Sequence, residues 1–155
     1  MKSLWPNEFP KLDIVPPVVI LRQQAYLLGE STNNIVEGVV ASVKDEKYPA
    51  EIKHNFVLRA PALGIKMPLF HVMHPVHDMY PAGVYVYGVY DVSDIRGPFR
   101  GRIDSYAAQH EDRIMDTFKI DVIEKDDFVS VVRIIFNSRY AMNIISSLMA
   151  QSVDV

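Results

Sequence analysis

The stretch EIKHNFVLRAPAL, residues 51–63, decides the fold class. Its even positions from Ile52 to Ala60 carry apolar side chains or His54, whereas the positions between them are polar except for Val57. Successive side chains of a strand point to opposite faces, so this period of two predicts a strand with one buried face. A turn at Leu63-Gly64-Ile65 then sends residues 66–74 back as a second strand. Pro68 within it predicts an edge position or a bulge, because proline cannot donate to the ladder.

Three further strands are predicted on either side of this hairpin. Residues 35–44 form one before it, and residues 83–91 (GVYVYGVYD) form another after the Pro75–Pro81 loop. In the latter, Val84 and Val86 face one way and Tyr85 and Tyr87 the other, with Gly88 as a bulge. Residues 118–124 alternate as a short strand.

Helices are predicted at both ends of the chain. Pro16-Pro17 opens the first, and Gly29 is a plausible C-terminal stop. Near the C-terminus, Asp126 is predicted to cap residues 127–137, where the β-branched content makes a strand the alternative. Ser138 is predicted to cap residues 139–151. Asp104 is a candidate cap for a helix over 105–116, and whether residues 105–136 are helical or extended is left open.

Together these elements predict one α+β domain, residues 1–155. Its mainly antiparallel sheet of about five or six strands packs with an N-terminal helix and a C-terminal helical hairpin, because the strands cluster instead of alternating with helices. Residues 1–15 form an extended arm. We expect its apolar residues to dock onto the body; the alternative is a partner-binding peptide, since Trp5 and Phe9 are common interface anchors.

Composition narrows the function classes. With 155 residues and 49% hydrophobic residues, the chain matches one globular domain, and a net charge of −3 does not favour bulk binding to nucleic acid. The absence of cysteine excludes disulfides, thiolate catalysis and cysteine metal sites. The longest apolar stretches are far shorter than the roughly 20 residues that span a bilayer. We therefore expect a soluble cytoplasmic protein that does not contact a membrane.

Histidines supply the one candidate metal cluster. Imidazoles with a carboxylate suit zinc, iron or nickel, and depending on the turn the hairpin sets Phe56 opposite His71 or His54 opposite His74. Either register brings two histidines of adjacent strands together. Hydrogen-bonded histidines without metal are the favoured interpretation, and a metal-dependent enzyme is the alternative. The candidate ligands are His54, His71, His74, His77 and Asp78.

Tyrosines and arginines supply the candidate binding surface. Tyrosine offers a large contact area with a hydrogen-bonding tip, and guanidinium groups grip carboxylates or phosphates. If both groups share one surface, single-stranded nucleic acid is a further and weaker alternative. Otherwise the arginines pair with the acidic stretch that follows them. The candidate partner-binding residues are Tyr80, Tyr85, Tyr87, Tyr90, Arg96, Arg100 and Arg102.

No serine-hydrolase or related nucleophile motif is present, so no catalytic residue and no cofactor is predicted. The leading hypothesis is a small protein-interaction or accessory domain, not an enzyme, that binds through an exposed aromatic sheet face or a sheet edge. Its partner is another protein or a second copy of the chain, because a free edge can be extended into a homodimer.

Overall fold

The computed structural model describes residues 1–44, 47, 49–87, 93–99, 101–110 and 113–153, with side chains throughout except at 103–110 and 113–116. The α+β class, the antiparallel sheet, the N-terminal helix and the two C-terminal helices are confirmed. In chain order the elements are α1 (Pro17–Ser31), β1 (Glu37–Lys44), β2 (Glu51–Ala60), β3 (Ile65–Pro75), β4 (Ala82–Tyr87), α2 (Ser93–Arg96), β5 (Ile103–His110), β6 (Arg113–Val122), α3 (Lys125–Phe136) and α4 (Arg139–Ser152).

The sheet has the strand order β1-β2-β3-β4-β6-β5, and every described pair is antiparallel. Because β3 lies between β2 and β4, the edge position predicted from Pro68 is wrong. The predicted bulge is confirmed: Val57 pairs with Pro68 but Phe56 pairs with Phe70, which leaves Leu69 as the extra residue. The edge strands are β1 and β5.

One face of the sheet packs against the long helices, and we call it the helix face. A row of paired residues, Phe56, Phe70, Val86 and Phe118, runs across it from β2 to β6 and is buried. The ring of Phe136 in α3 lies 5.0 Å from that of Phe56 and 5.9 Å from that of Phe70. At the other side, Gly38 of β1 lets α1 approach so closely that an added Cβ would be 2.7 Å from the Cα of Ala25.

The helix ends correct two predictions. α1 continues past Gly29 to Ser31, and the left-handed backbone is supplied by Asn33 and Asn34, at φ of 52° and 61°. α3 is helical as predicted, but Glu124 and not Asp126 is its N-cap residue. At α4 the predicted cap is confirmed, since the Ser138 hydroxyl accepts a bond of 3.1 Å from the Ala141 amide.

The helix considered over residues 105–116 is wrong. β5 and β6 pair there from Ile103 opposite Ile120 to His110 opposite Arg113, so the described parts of the stretch, 105–110 and 113–116, are extended. The helical spacing of apolar residues in this stretch does not decide its structure, because β5 and β6 satisfy each other's backbone hydrogen-bonding groups and β6 also pairs with β4. The predicted strand over 118–124 is the end of β6, which finishes at Val122.

The N-terminal arm forms neither helix nor strand, and its predicted docking is wrong for most of its length. Trp5 is 74% exposed, Phe9 66% and Leu12 68%. The root of the arm is held, because Val15 packs against the core and its carbonyl accepts a bond of 3.1 Å from the Tyr80 hydroxyl. Among the described helices, none is long and apolar enough to cross a membrane.

Candidate functional site

The second face of the sheet, which we call the open face, carries polar and aromatic side chains. Strand alternation places the residues of one register row there: Asn55, His71, Tyr85 and Lys119. Tyr87 and its partner Thr117 follow two residues further along β4 and β6. Among the described elements, the helices contact the sheet through its opposite side, so this face is a candidate contact surface. His71, Tyr87 and Thr117 are nevertheless only 5%, 3% and 1% exposed, which leaves Asn55, Tyr85 and Lys119 as its half-buried members.

His71 holds the aromatic group of the open face together. Its ring stacks on Tyr85 with centroids 4.6 Å apart and planes 8° apart. Its Nδ1 lies 2.6 Å from the Tyr87 hydroxyl oxygen, a short hydrogen bond. The stack and the bond fix two tyrosines on one imidazole, so the surface is preorganised before any partner arrives.

Gly83 and Lys119 complete this arrangement. An added Cβ at Gly83 would lie 2.8 Å from the Cε of Lys119 and 2.9 Å from the Cε2 of Tyr85. Because Gly83 has no side chain, the side chains of Lys119 and Tyr85 can lie directly over its backbone. The Lys119 ammonium lies 5.8 Å from the Tyr85 ring centroid, within cation–π range, and 3.2 Å from Asp121.

Burial keeps the tyrosine hydroxyls of the open face protonated. It raises the pKa of Tyr87 to about 12. It also raises the pKa of Tyr85, partly offset by the positive charge of Lys119. Neutral phenols near pH 7 serve as contact surface and hydrogen-bonding groups, not as nucleophiles.

The sequence analysis predicted the positions of only some of these tyrosines correctly. Val84 and Val86 are buried on the helix face and Tyr85 and Tyr87 lie on the open face, as predicted. Tyr87, however, is only 3% exposed, so Tyr85 is the more accessible of the two rings. Tyr80 does not join them, because its ring packs on Phe128 of α3 at 6.3 Å. Tyr90 lies outside the described residues.

The arginines do not join the tyrosines either. The guanidinium of Arg96 lies 4.9 Å from the ring centroid of Phe118, a helix-face residue. Arg102 donates to the Asp121 carbonyl at 2.7 Å and to Asp127 at 2.6 Å, so it pairs with the acidic stretch. Arg100 lies outside the described residues. The shared surface on which the nucleic-acid alternative depends is therefore not formed by Arg96 and Arg102.

Two of the five candidate metal ligands come together, in a hydrogen-bonded chain with Ser42. Ser42 Oγ lies 2.7 Å from His54 Nδ1, and His54 Nε2 lies 2.9 Å from His74 Nε2. His74 Nδ1 lies 2.8 Å from the Pro75 carbonyl and 3.0 Å from the Asp78 carbonyl. We call Ser42, His54 and His74 the histidine chain. The rings are only 3% and 6% exposed, whereas Ser42 is exposed.

The remaining candidate ligands lie elsewhere. His71 is on the open face, because it pairs with Asn55, and His77 is exposed in the loop after β3. Asp78 reaches the histidine chain with its backbone carbonyl. Both predicted registers are wrong, since His54 pairs with Val72 and Ile52 pairs with His74. In the described part of the chain, no group of three or more metal-binding side chains forms.

Sequence reasoning missed Ser42, whose role depends on the pairing of β1 with β2. The register sets Ser42 directly opposite His54, and the charged turn between the strands did not fix that register in advance. The geometry thus offers two candidate sites, the open face and the histidine chain. The sequence matches no protein-family model, and neither a curated protein nor a solved structure is significantly similar to it.

Proposed function

We propose that this protein is an interaction domain that binds a protein partner, or a second copy of itself, through the open face. The observation that carries the proposal is where the described helices pack: α1, α3 and α4 lie on the helix face, while Tyr85 lies half-buried on the other. Tyrosine and methionine are enriched in protein interfaces, and Met73 lies on the same face as Tyr85.

The free edge of β1 extends this surface. Val39 and Val43 are 36% and 45% exposed, and alternation puts them on the open face with Val57. An apolar strip beside an unpaired strand edge supports strand addition by a partner, in which main-chain bonds give affinity and side chains give specificity. The supporting features therefore form one continuous surface from β1 to Tyr85.

Site-specific photo-crosslinking tests the proposal. A benzophenone amino acid at Met73 reports on the open face, and the same residue at Tyr26, which is 67% exposed on α1, is the matched control. We expect a discrete protein adduct from position 73 and none from position 26, and we expect Tyr85→Ala to reduce it at least tenfold.

The Tyr85→Ala variant must keep the thermal unfolding midpoint within a few degrees for the comparison to count. Equal adducts from both positions would contradict the proposal. The absence of any adduct from position 73, when crosslinking is done inside the cells that produce the protein, would also contradict it. Light scattering across a hundredfold concentration range then separates a second copy from a different partner.

A further inference from the structure

The histidine chain has one consistent proton arrangement when both rings are neutral. His74 Nδ1 faces two carbonyl oxygens, which only accept, so Nδ1 carries the proton and Nε2 is an acceptor. His54 Nε2 must then donate to His74 Nε2, which leaves His54 Nδ1 as an acceptor. The Ser42 hydroxyl is therefore the donor of the 2.7 Å bond to His54 Nδ1.

This arrangement has the parts of an activated nucleophile. A hydroxyl donates to a neutral imidazole, and a third group orients that imidazole from behind. Ser42 is exposed on the edge strand β1, so a reagent can reach its oxygen, whereas both rings are buried and held in place. We propose that Ser42 is an acyl-acceptor serine, with His54 as its general base and His74 as the positioning residue, and that it takes acyl groups from small activated esters.

The step is balanced along the chain. Ser42 Oγ attacks the ester carbonyl carbon, forming a C–O bond, while its proton passes to His54 Nδ1. The His54 Nε2 proton moves to His74 Nε2, and the positive charge then lies on a ring whose other nitrogen donates to two carbonyls. The bond to the leaving alcohol breaks, and that alcohol takes up one proton, which restores two neutral rings and leaves an ester on Ser42.

The pKa of His54 explains why the transfer of its Nε2 proton to His74 matters. Burial, the neighbouring His74 and the positive charge of Arg22 in α1 lower the pKa of His54 to about 4. Protonated His54 is therefore disfavoured in its pocket, and transfer of its Nε2 proton along the 2.9 Å bond to His74 avoids that cost. Ser42 donates to His54 only while both rings are neutral, because a proton on His74 Nε2 reverses the donor order of the chain.

Other serines of the chain are internal controls. The hydroxyls of Ser31, Ser130 and Ser152 donate to backbone carbonyls of their own helices, at 2.8, 3.1 and 2.7 Å. A carbonyl is not a general base, and general-base catalysis is worth about 10²–10⁴ in rate. We therefore expect acylation at Ser42 to exceed that at each of these serines by about 100-fold or more.

Acetylation with 4-nitrophenyl acetate, read by peptide mass spectrometry, tests this in the full chain. We expect one acetyl group on Ser42, its loss in Ser42→Ala and at least a tenfold slower reaction in His54→Gln. In the wild-type protein we expect the rate to fall as the pH drops below neutral, because the Ser42 hydroxyl donates to His54 only while both rings are neutral.

The labelling pattern of the wild-type protein keeps the test decisive even if His54→Gln does not fold. Acetyl groups spread evenly over exposed serines, an unchanged rate in a folded His54→Gln variant, or a rate that does not fall in acid would each overturn the proposal. Selective labelling of Ser42 that is lost in acid supports it. The open face plays no part in this readout, so the interaction proposal stands or falls separately.

Discussion

At the residue scale, His54 lies in an environment far from that of a histidine in water. Burial, the neighbouring His74 and the positive charge of Arg22 together hold its pKa near 4. An unfolded chain returns this pKa to about 6.5, so between pH 6.5 and 4 the unfolded state binds more protons than the folded state. Stability is therefore complete above about pH 6.5 and falls as the pH drops towards 4.

The first prediction follows from this linkage. Between pH 7 and pH 4 we expect the wild-type protein to lose about 3 kcal/mol more unfolding free energy than His54→Gln, because Gln does not titrate. Urea denaturation of both proteins at the two pH values measures the difference, and carboxylate titration cancels between them. An equal loss in the two proteins would mean that His54 titrates normally in the folded state.

Gly38 gives a second prediction, about close packing. An added Cβ would meet the Cα of Ala25 at 2.7 Å and its Cβ at 2.8 Å, and neither backbone can yield cheaply. We expect Gly38→Ala to destabilise the protein by about 1–3 kcal/mol, as overpacked sites do. Gly97→Ala is the matched control, because an added Cβ there meets nothing within 4 Å.

A double-mutant cycle with Ala25→Gly tests the cause of this loss. Ala25→Gly removes the Cβ clash and itself costs about 1 kcal/mol as a glycine within α1, so in urea denaturation Gly38→Ala should cost less in the Ala25→Gly background than in the wild-type protein. Equal stability of Gly38→Ala and the wild-type protein would show that α1 moves away from β1 without cost.

At the element scale, a side-chain cap fixes where α4 begins. The Ser138 hydroxyl accepts from the Ala141 amide at 3.1 Å and donates to the Ile135 carbonyl at 2.6 Å, so it joins the end of α3 to the start of α4. We expect Ser138→Ala to cost about 1–2 kcal/mol in unfolding free energy. Ser130→Ala, on an exposed turn of α3, is the control and should change it by less than about 0.5 kcal/mol. Comparable losses in both variants would contradict the capping role.

A comparison of the elements also shows which of them could be predicted from the sequence. Elements with a strong local signal were found: the alternation of residues 51–60, the proline start of α1 and the Ser138 cap. Residues 105–116 gave the wrong signal, because their helical spacing is local whereas β6 pairs with both β4 and β5. Strand order and the bulge at Leu69 depend on distant partners, so the histidine registers and the role of Ser42 could not be derived from local patterns.

At the scale of the whole molecule, the sheet divides the protein into two unlike sides. The core joins residues from Ile20 in α1 to Leu148 in α4 on the helix face, while the open face keeps Tyr85, Lys119 and the strip along β1. The tyrosine content predicted an aromatic surface, but local patterns did not indicate that Tyr80 and Arg102 would be turned to the other side. On the open face, stacking on His71 positions the Tyr85 ring, and no rule of residue spacing predicts that contact.

The last prediction concerns the N-terminal arm, whose deletion should reduce association between molecules without changing the stability of the fold. The side chains of Leu4, Trp5 and Phe9 are 92%, 74% and 66% exposed, so they contribute little to the core of their own chain. Deleting residues 1–14, which leaves Val15 and its bond from Tyr80, should change the unfolding free energy by less than about 0.5 kcal/mol. The same deletion should reduce concentration-dependent association in light scattering, since exposed apolar residues promote contacts between molecules. The control, Trp5→Ala with Phe9→Ala in the intact arm, should reproduce both results. A stability loss above about 1 kcal/mol in the deletion would instead mean that the arm packs on its own domain in solution, and the association readout would then lose its meaning.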